Sequence, residues 1–158
     1  MVLYFLRHAL AGTRSEWHED DSLRPLTTKG RKKMVQEAKV LVDLVPNLDR
    51  IITSPLTRSL QTAEIAAEAL GMGEALSSDD RLRPGFDLEK LGGILQENAE
   101  AEALMLVGHE PDFSETVAAL VGGGRLVFKK GGLARVDLTR LDPPEGELVW
   151  LIPPKALL

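Results

Sequence analysis

The sequence contains no cysteine, and this absence removes three kinds of chemistry at once. Without thiols the chain forms no disulfide, offers no thiolate nucleophile and builds no zinc site on cysteine ligands. Its three histidines are His8, His18 and His109, and their spacing is too wide for a typical zinc site. We therefore expect no metal and no other cofactor.

Long apolar runs and an excess of positive charge are also missing. No apolar stretch reaches the roughly 18 residues that a membrane span needs. The first residues, "MVLYFLRH", are too short for a signal peptide and lack its basic start. The net charge of −5 argues against broad, charge-driven nucleic-acid binding but still allows a small basic pocket. We expect a cytoplasmic protein that binds neither membrane nor nucleic acid.

The remaining composition is that of an ordinary globular domain. Hydrophobic residues make up 44% and charged residues 27% of the 158 residues. A chain of this length can bury a real core, and it shows no repeat and no linker that would divide it. We expect one domain over residues 1–158.

Short apolar runs alternate with helical patterns along most of the chain. The runs Val2–Leu6, Arg50–Thr53 and Ala103–Val107 are typical of strands buried on both faces of a sheet. Each is followed by apolar residues at helical spacing. Near the end, alternating apolar residues flank the turn "DPPEG", which indicates an antiparallel hairpin. The order predicts an α/β fold: a three-layer α/β/α sandwich with a mostly parallel central sheet and a C-terminal antiparallel hairpin.

Three polar capping residues and one proline predict where these helices begin. They are Thr27 or Thr28, Ser54 with Pro55 in the first helical position, and Asp87, with Pro111 opening the fourth helix. The polar segment 13–23, between the first strand and the first helix, is predicted to be an exposed loop.

Cationic and imidazole side chains follow all three buried strands. Arg7 and His8 end the first strand, His109 follows the third, and Arg58 lies in the first turn of the helix after the second. Ligands of open α/β sheets bind outside the carboxyl ends of the strands. Each of these residues alone could be an incidental polar terminus, but together they predict an anion site.

Phosphoryl transfer through a histidine is the chemistry that suits this set. A neutral imidazole is nucleophilic near pH 7, guanidinium groups match the oxygens of a phosphoryl group, and a second histidine can stabilise the transition state. Four stretches in this order, "LRHA", "RPLTTKG", "ITSPLTRSLQTAE" and "VGHEPDFS", resemble the histidine phosphatase superfamily, whose fold is phosphoglycerate mutase-like. Within it the short SixA-type phosphohistidine phosphatases are most similar, over residues 2 to about 152. The resemblance implies that His8 is the nucleophile that becomes phosphorylated and that Arg7, Arg58 and His109 complete the catalytic and phosphate-binding pocket.

Two departures from the superfamily pattern bear on function. Ala9 stands where glycine is usual, and no carboxylate stands near Arg83 and Pro84, where many members carry the acid that protonates a leaving oxygen. Asp87 and Glu89 lie slightly downstream and are either that acid or ordinary solvated and capping carboxylates. Thr27 and Lys29 are either part of a helix start or part of the pocket rim.

The missing acid favours a substrate with a good leaving group. An alkoxide needs a general acid worth roughly 10²–10⁴-fold in rate, whereas imidazole, with a pKa near 6.5, is a far weaker base. We therefore expect a metal-independent phosphohistidine phosphatase that acts on a phosphorylated partner protein, such as a phosphorelay histidine domain, and releases inorganic phosphate. Two alternatives stay open: a small-molecule phosphomonoesterase that uses Asp87 or Glu89 as its acid, and a phospho-binding module without turnover.

Overall fold

The computed structural model describes all 158 residues and contains six strands and four α-helices. The strands are β1 Val2–Arg7, β2 Arg50–Thr53, β3 Leu76–Ser78, β4 Ala103–Gly108, β5 Leu133–Leu141 and β6 Pro144–Ile152. The helices are α1 Thr28–Leu44, α2 Thr57–Leu70, α3 Leu88–Glu97 and α4 Asp112–Leu120. None of the helices is long and apolar enough to cross a membrane.

All six strands form one sheet in the order β3-β2-β4-β1-β5-β6. The first four of these are mutually parallel, and β5 and β6 add an antiparallel hairpin beside β1. The mostly parallel sheet with its C-terminal hairpin confirms the fold predicted from the sequence. The parallel strands β2, β4 and β1 are neighbours, so their carboxyl ends lie at the same edge of the sheet.

Successive strand residues alternate between two hydrophobic layers, as the period of a strand requires. In β1, Tyr4 and Leu6 join the layer that α1 and α2 cover. Leu3 and Phe5 join the opposite layer, which α3 and α4 cover. The two layers account for the continuous apolar runs in the sequence and complete the three-layer sandwich.

The helix starts agree only partly with their predictions. The side chains of Thr27 and Asp87 cap α1 and α3 by accepting backbone N–H groups, and Pro111 occupies the N-cap of α4. The prediction for α2 was wrong: this helix begins at Thr57 rather than Pro55. The reason is that Ser54 still pairs with β4, since its N–H donates to the carbonyl oxygen of Val107 at 2.9 Å. Its hydroxyl lies 2.8 Å from a ring nitrogen of His109 and accepts the backbone N–H of Leu56 at 3.3 Å.

Candidate active site

The four residues predicted from the strand ends line a single cleft of about 610 Å³. Arg7 ends β1 and His8 follows it, Arg58 lies in the first turn of α2, and His109 directly follows β4. His8, Arg58 and His109 are each at most 6% exposed, so they form the floor of the cleft. The structure therefore brings together all four residues.

His8 is held in the form that a nucleophile needs. Its ring atom Nδ1 lies 2.8 Å from the carbonyl oxygen of Ala9, so Nδ1 carries the proton and Nε2 keeps its lone pair. Burial, reinforced by the charges of Arg58 and Arg7, lowers the pKa of His8 to about 3. The ring is therefore neutral across the physiological pH range.

The loop before β5 fixes the backbone and the side chain of the β1 terminus. Arg7 donates from Nη1 to the carbonyl oxygen of Phe128 at 2.7 Å. The N–H of Gly131 lies 3.1 Å from the carbonyl oxygens of both Arg7 and His8. Gly131 has a φ of 77°, which suits glycine, and a Cβ there would lie 2.8 Å from a carboxylate oxygen of Glu37. A side chain at Gly131 would disturb the support of both site residues.

A carboxylate from segment 13–23 positions Arg58. Asp21 accepts from Arg58 Nη2 at its side chain, at 3.1 Å, and from Nη1 at its backbone carbonyl, at 2.9 Å. The same carboxylate lies 3.0 Å from Nε of Arg24. Burial lowers the pKa of Arg58, and the negative charge of Asp21 opposes that shift. Segment 13–23 was predicted to be only an exposed loop, but through Asp21 it also positions Arg58.

Two serines of the β2–α2 region hold His109. Its Nε2 lies 2.8 Å from Oγ of Ser54 and 3.3 Å from Oγ of Ser59. Burial and the charge of Arg58 lower the pKa of His109 to about 4. The rings of His8 and His109 lie 5.3 Å apart between centroids. Both imidazoles are therefore neutral, and they are close enough to contact the same small group bound in the cleft.

Unpartnered polar atoms concentrate in this cleft. Only five buried side-chain nitrogen or oxygen atoms in the protein lack a hydrogen-bond partner, and three of them are Nε of Arg7, Nε of Arg58 and Nδ1 of His109. Buried polar atoms are normally hydrogen-bonded, so such a cluster requires an explanation. An oxyanion supplies acceptors for donors of this kind, which makes the cleft a candidate site for a phosphoryl group.

Ala9 fits its position without strain. Asn47 is the only non-glycine residue with a positive φ, so Ala9 does not need the freedom of glycine. The N–H of Ala9 donates to Oγ1 of Thr62 at 3.0 Å, and that hydroxyl donates to the carbonyl of Arg58 at 2.7 Å. Thr62 thereby ties the segment after His8 to the first turn of α2.

The other sequence candidates lie outside the cleft. Asp87 and Glu89 are exposed and do not line it; Asp87 caps α3 instead. Thr27 caps α1, and Lys29 is exposed. The two carboxylates that do line the cleft, Asp21 and Glu110, were both missed.

The signals for those two residues were weak but present. Asp21 stands three residues before Arg24, a spacing at which opposite charges can pair, and Glu110 directly follows His109 in "VGHEPDFS". Nothing in either pattern indicates which distant side chain the carboxylate will face. For metal binding, no group of three or more His, Cys, Asp or Glu side chains in the structure could hold an ion.

A neutral histidine that shares a cleft with two arginines and a second histidine defines a site suited to phosphoryl transfer. Residues 3–121 match the histidine phosphatase superfamily (branch 1), and the chain belongs to this family. An uncharacterized protein of Picosynechococcus sp. is 38% identical over 100% of this chain and 99% of its own length. The phosphohistidine phosphatase SixA of Escherichia coli is 26% identical over 98% of this chain and 94% of its own length. A solved structure of the protein histidine phosphatase SixA with tungstate superposes with a TM-score of 0.88 at 26% identity and covers 100% of both chains.

Proposed function

We propose that this protein is a metal-independent phosphatase that hydrolyses phosphohistidine in a partner protein through a phosphorylated His8. The observation that carries the proposal is a neutral His8 with Nε2 free, at the floor of a cleft that it shares with Arg7, Arg58 and His109. Residues 1–158 would act as one catalytic domain. The partner would be a protein that carries a phosphorylated histidine, such as a phosphorelay domain.

The reaction would proceed in two displacements. Nε2 of His8 attacks phosphorus, the P–N bond of the substrate breaks, and its electron pair stays on the departing ring nitrogen. Arg7 and Arg58 bind the non-bridging oxygens, and His109 shares their growing negative charge. Water then attacks phospho-His8, which restores the histidine and releases inorganic phosphate.

Three observations favour phosphohistidine over an alkyl phosphate. Asp87 and Glu89, the two carboxylates that the sequence offered as the acid of an alkyl phosphatase, do not line the cleft. The resemblance to SixA proteins extends over essentially the whole chain. The cleft is also open to solvent, which suits a side chain presented by another protein.

Replacement of His8 tests the mechanism. We expect His8→Ala to abolish turnover of a phosphohistidine peptide and to remove the acid-labile, alkali-stable phosphoenzyme seen in a quench with radiolabelled substrate. Vanadate or phosphate should still bind, because Arg7, Arg58 and His109 remain. His18→Ala is the matched control, because His18 is exposed and outside the cleft, and it should behave as the parent protein.

A side-by-side assay of phosphohistidine, phosphoserine and sugar phosphates tests the substrate class. Preference for sugar phosphates would replace the proposal with a small-molecule phosphomonoesterase. Tight binding of the phosphohistidine peptide without any turnover would instead identify a binding module.

A further inference from the structure

Glu110 is a cleft carboxylate to which the proposed function assigns no role. It is half-buried, directly follows His109 and lines the same cleft as His8. The other carboxylate of the cleft, Asp21, is engaged with Arg24 and Arg58. Glu110 is therefore the one acidic side chain of the cleft that is free to contact a substrate.

Only one oxygen of this carboxylate is engaged. Oε1 of Glu110 accepts the backbone N–H of Ser114, in the first turn of α4, at 2.7 Å. Glu110 forms no ion pair with any lysine or arginine. Its Oε2 makes no hydrogen bond and is not among the buried unpartnered atoms, so it is accessible to solvent, and the residue itself lines the cleft. The helix terminus holds the group in place and leaves one acceptor exposed.

A negative charge at this place works against phosphate binding. Burial lowers the pKa of Arg7, and the charge of Glu110 opposes that shift, so the carboxylate lies within electrostatic reach of the guanidinium. The same charge repels a phosphoryl dianion. Glu110 therefore suits a part of the substrate that carries a proton to donate, and not the phosphoryl group.

The geometry of in-line displacement indicates which part of the substrate lies near Glu110. The attacking and leaving atoms lie on opposite sides of phosphorus. His8 is on the floor, 6% exposed, so the leaving group lies toward the mouth of the cleft. The wall there includes half-buried Glu110 together with exposed Pro84 and Lys130.

We propose that Glu110 accepts a hydrogen bond from the distal ring N–H of the phosphohistidine leaving group and thereby makes the site specific for P–N over P–O bonds. This role rests on the proposed function. When the distal nitrogen is protonated, cleavage returns the bonding pair to the nitrogen that was attached to phosphorus and releases a neutral imidazole. Without that proton the ring would leave as an imidazolate anion, a far stronger base. A carboxylate acceptor favours the protonated ring, and no proton has to be transferred during the step.

The variant Glu110→Gln tests this role on two substrates. Free imidazole has a pKa of about 6.5, so most free rings lack the extra proton at pH 8.5. A hydrogen bond to a charged group changes an equilibrium by roughly tenfold, so we expect kcat/KM for a phosphohistidine peptide to fall about tenfold at pH 8.5. The loss should shrink toward pH 6, where the ring is protonated without help. Activity on p-nitrophenyl phosphate, whose leaving group has no N–H, should rise, because the charge that repels the phosphoryl dianion is gone.

Glu115→Gln is the matched control, because Glu115 is an exposed carboxylate in the first turn of the same helix. It should leave both activities and their pH profiles unchanged. An equal loss on both substrates in Glu110→Gln, or no loss on the phosphohistidine peptide, would overturn the role of Glu110 alone. A parent protein that hydrolyses phosphate esters but not phosphohistidine would overturn the proposed function and this role with it.

A spectroscopic measurement reports on the hydrogen bond without turnover. In the His8→Ala background, the ring of a bound ¹⁵N-labelled phosphohistidine peptide should titrate at higher pH than the free peptide. Adding Glu110→Gln should abolish that difference. A bound ring that titrates alike with and without Glu110 would contradict the proposal.

Discussion

At the scale of single residues, Arg58 depends on a carboxylate that the recognised motifs do not contain. Asp21 holds both terminal nitrogens of the guanidinium, one through its side chain and one through its backbone carbonyl. Such a two-point contact fixes the plane of the group as well as its position. We therefore regard Asp21 as a positioning residue that acts through Arg58.

Asp21→Asn should weaken phosphate recognition more than it slows chemistry. The amide keeps a hydrogen-bond acceptor and the backbone contact survives, but the charge that orients Arg58 is lost. We expect KM for p-nitrophenyl phosphate and the inhibition constant of vanadate to rise about tenfold, the usual scale of a charge-assisted hydrogen bond, with a smaller change in kcat. Asp43→Asn, an exposed carboxylate of α1, is the control. A fall in kcat alone would show that Asp21 does not act through ground-state phosphate binding.

The sequence predicted that Arg7, His8, Arg58 and His109 come together, because the strand ends near which they lie can be located from apolar runs. It did not predict Asp21, whose partner Arg58 is 37 residues away. That contact depends on how segment 13–23 crosses the start of α2, and local polarity indicates only exposure. The contact of Ser54 with His109 was not predicted for the same reason, since a helix cap is a local pattern and this contact spans 55 residues.

At the scale of elements, a glycine sets how closely α1 approaches the segment after β1. A Cβ at Gly30 would collide with the carbonyl oxygen of Leu10, and a change of side-chain rotamer cannot relieve a clash with a backbone atom. Gly30→Ala should therefore lower the free energy of unfolding by about 2 kcal/mol or more. Gly92→Ala is a control of the same type in α3, because its Cβ would meet nothing closer than Pro144 Cγ at 3.9 Å.

For Gly92→Ala we expect the opposite sign, a gain of about 0.5–1 kcal/mol from the better helix propensity of alanine. Urea denaturation followed by circular dichroism measures both variants. Equal and small effects in the two variants would contradict the close packing inferred at Gly30.

The element that the sequence did not predict is β3. Leu76–Ser78 has three residues, and Ser77 and Ser78 are exposed, so the segment has neither an apolar run nor a readable alternation. It forms because β2 offers a free edge on which Leu76 pairs with Ile51. A strand that forms because its neighbour in the sheet offers a pairing edge shows little strand pattern in its own sequence.

At the scale of the whole molecule, the strand order decides which residues meet. Chain order places β1, β2 and β4 far apart, but the sheet sets them side by side as β2-β4-β1. Helical and strand periodicity predicts that the elements exist without indicating their order in the sheet. The rule that ligands bind at carboxyl strand ends still predicted a common cleft, because it applies to any order in which these strands are neighbours.

Glu37 gives the fold a pH dependence that is independent of catalysis. It is a 3% exposed carboxylate of α1, one of whose oxygens has no partner, and burial raises its pKa to about 7, against the opposing charge of Lys33. Because the pKa of Glu37 is higher in the folded than in the unfolded state, folding is favoured at low pH, where the carboxyl is protonated. Stability is then lost as the pH rises from the unfolded value of 4.5 through about 7. The buried site histidines act in the opposite direction, since their folded pKa values are lowered and stability is lost as the pH falls below about 6.5.

Glu37→Gln should isolate the contribution of this carboxyl, because the histidines are common to variant and parent. At pH 5 the two proteins should unfold at similar urea concentrations, since a neutral carboxyl and an amide have similar size and polarity. At pH 8 the variant should be more stable by about 2–3 kcal/mol, because it no longer carries a buried, poorly solvated charge. Glu64→Gln, an exposed carboxylate of α2, should show no such divergence between the two pH values. A Glu37→Gln variant equally stabilised at both values would show that packing, and not ionisation, is what the substitution changes.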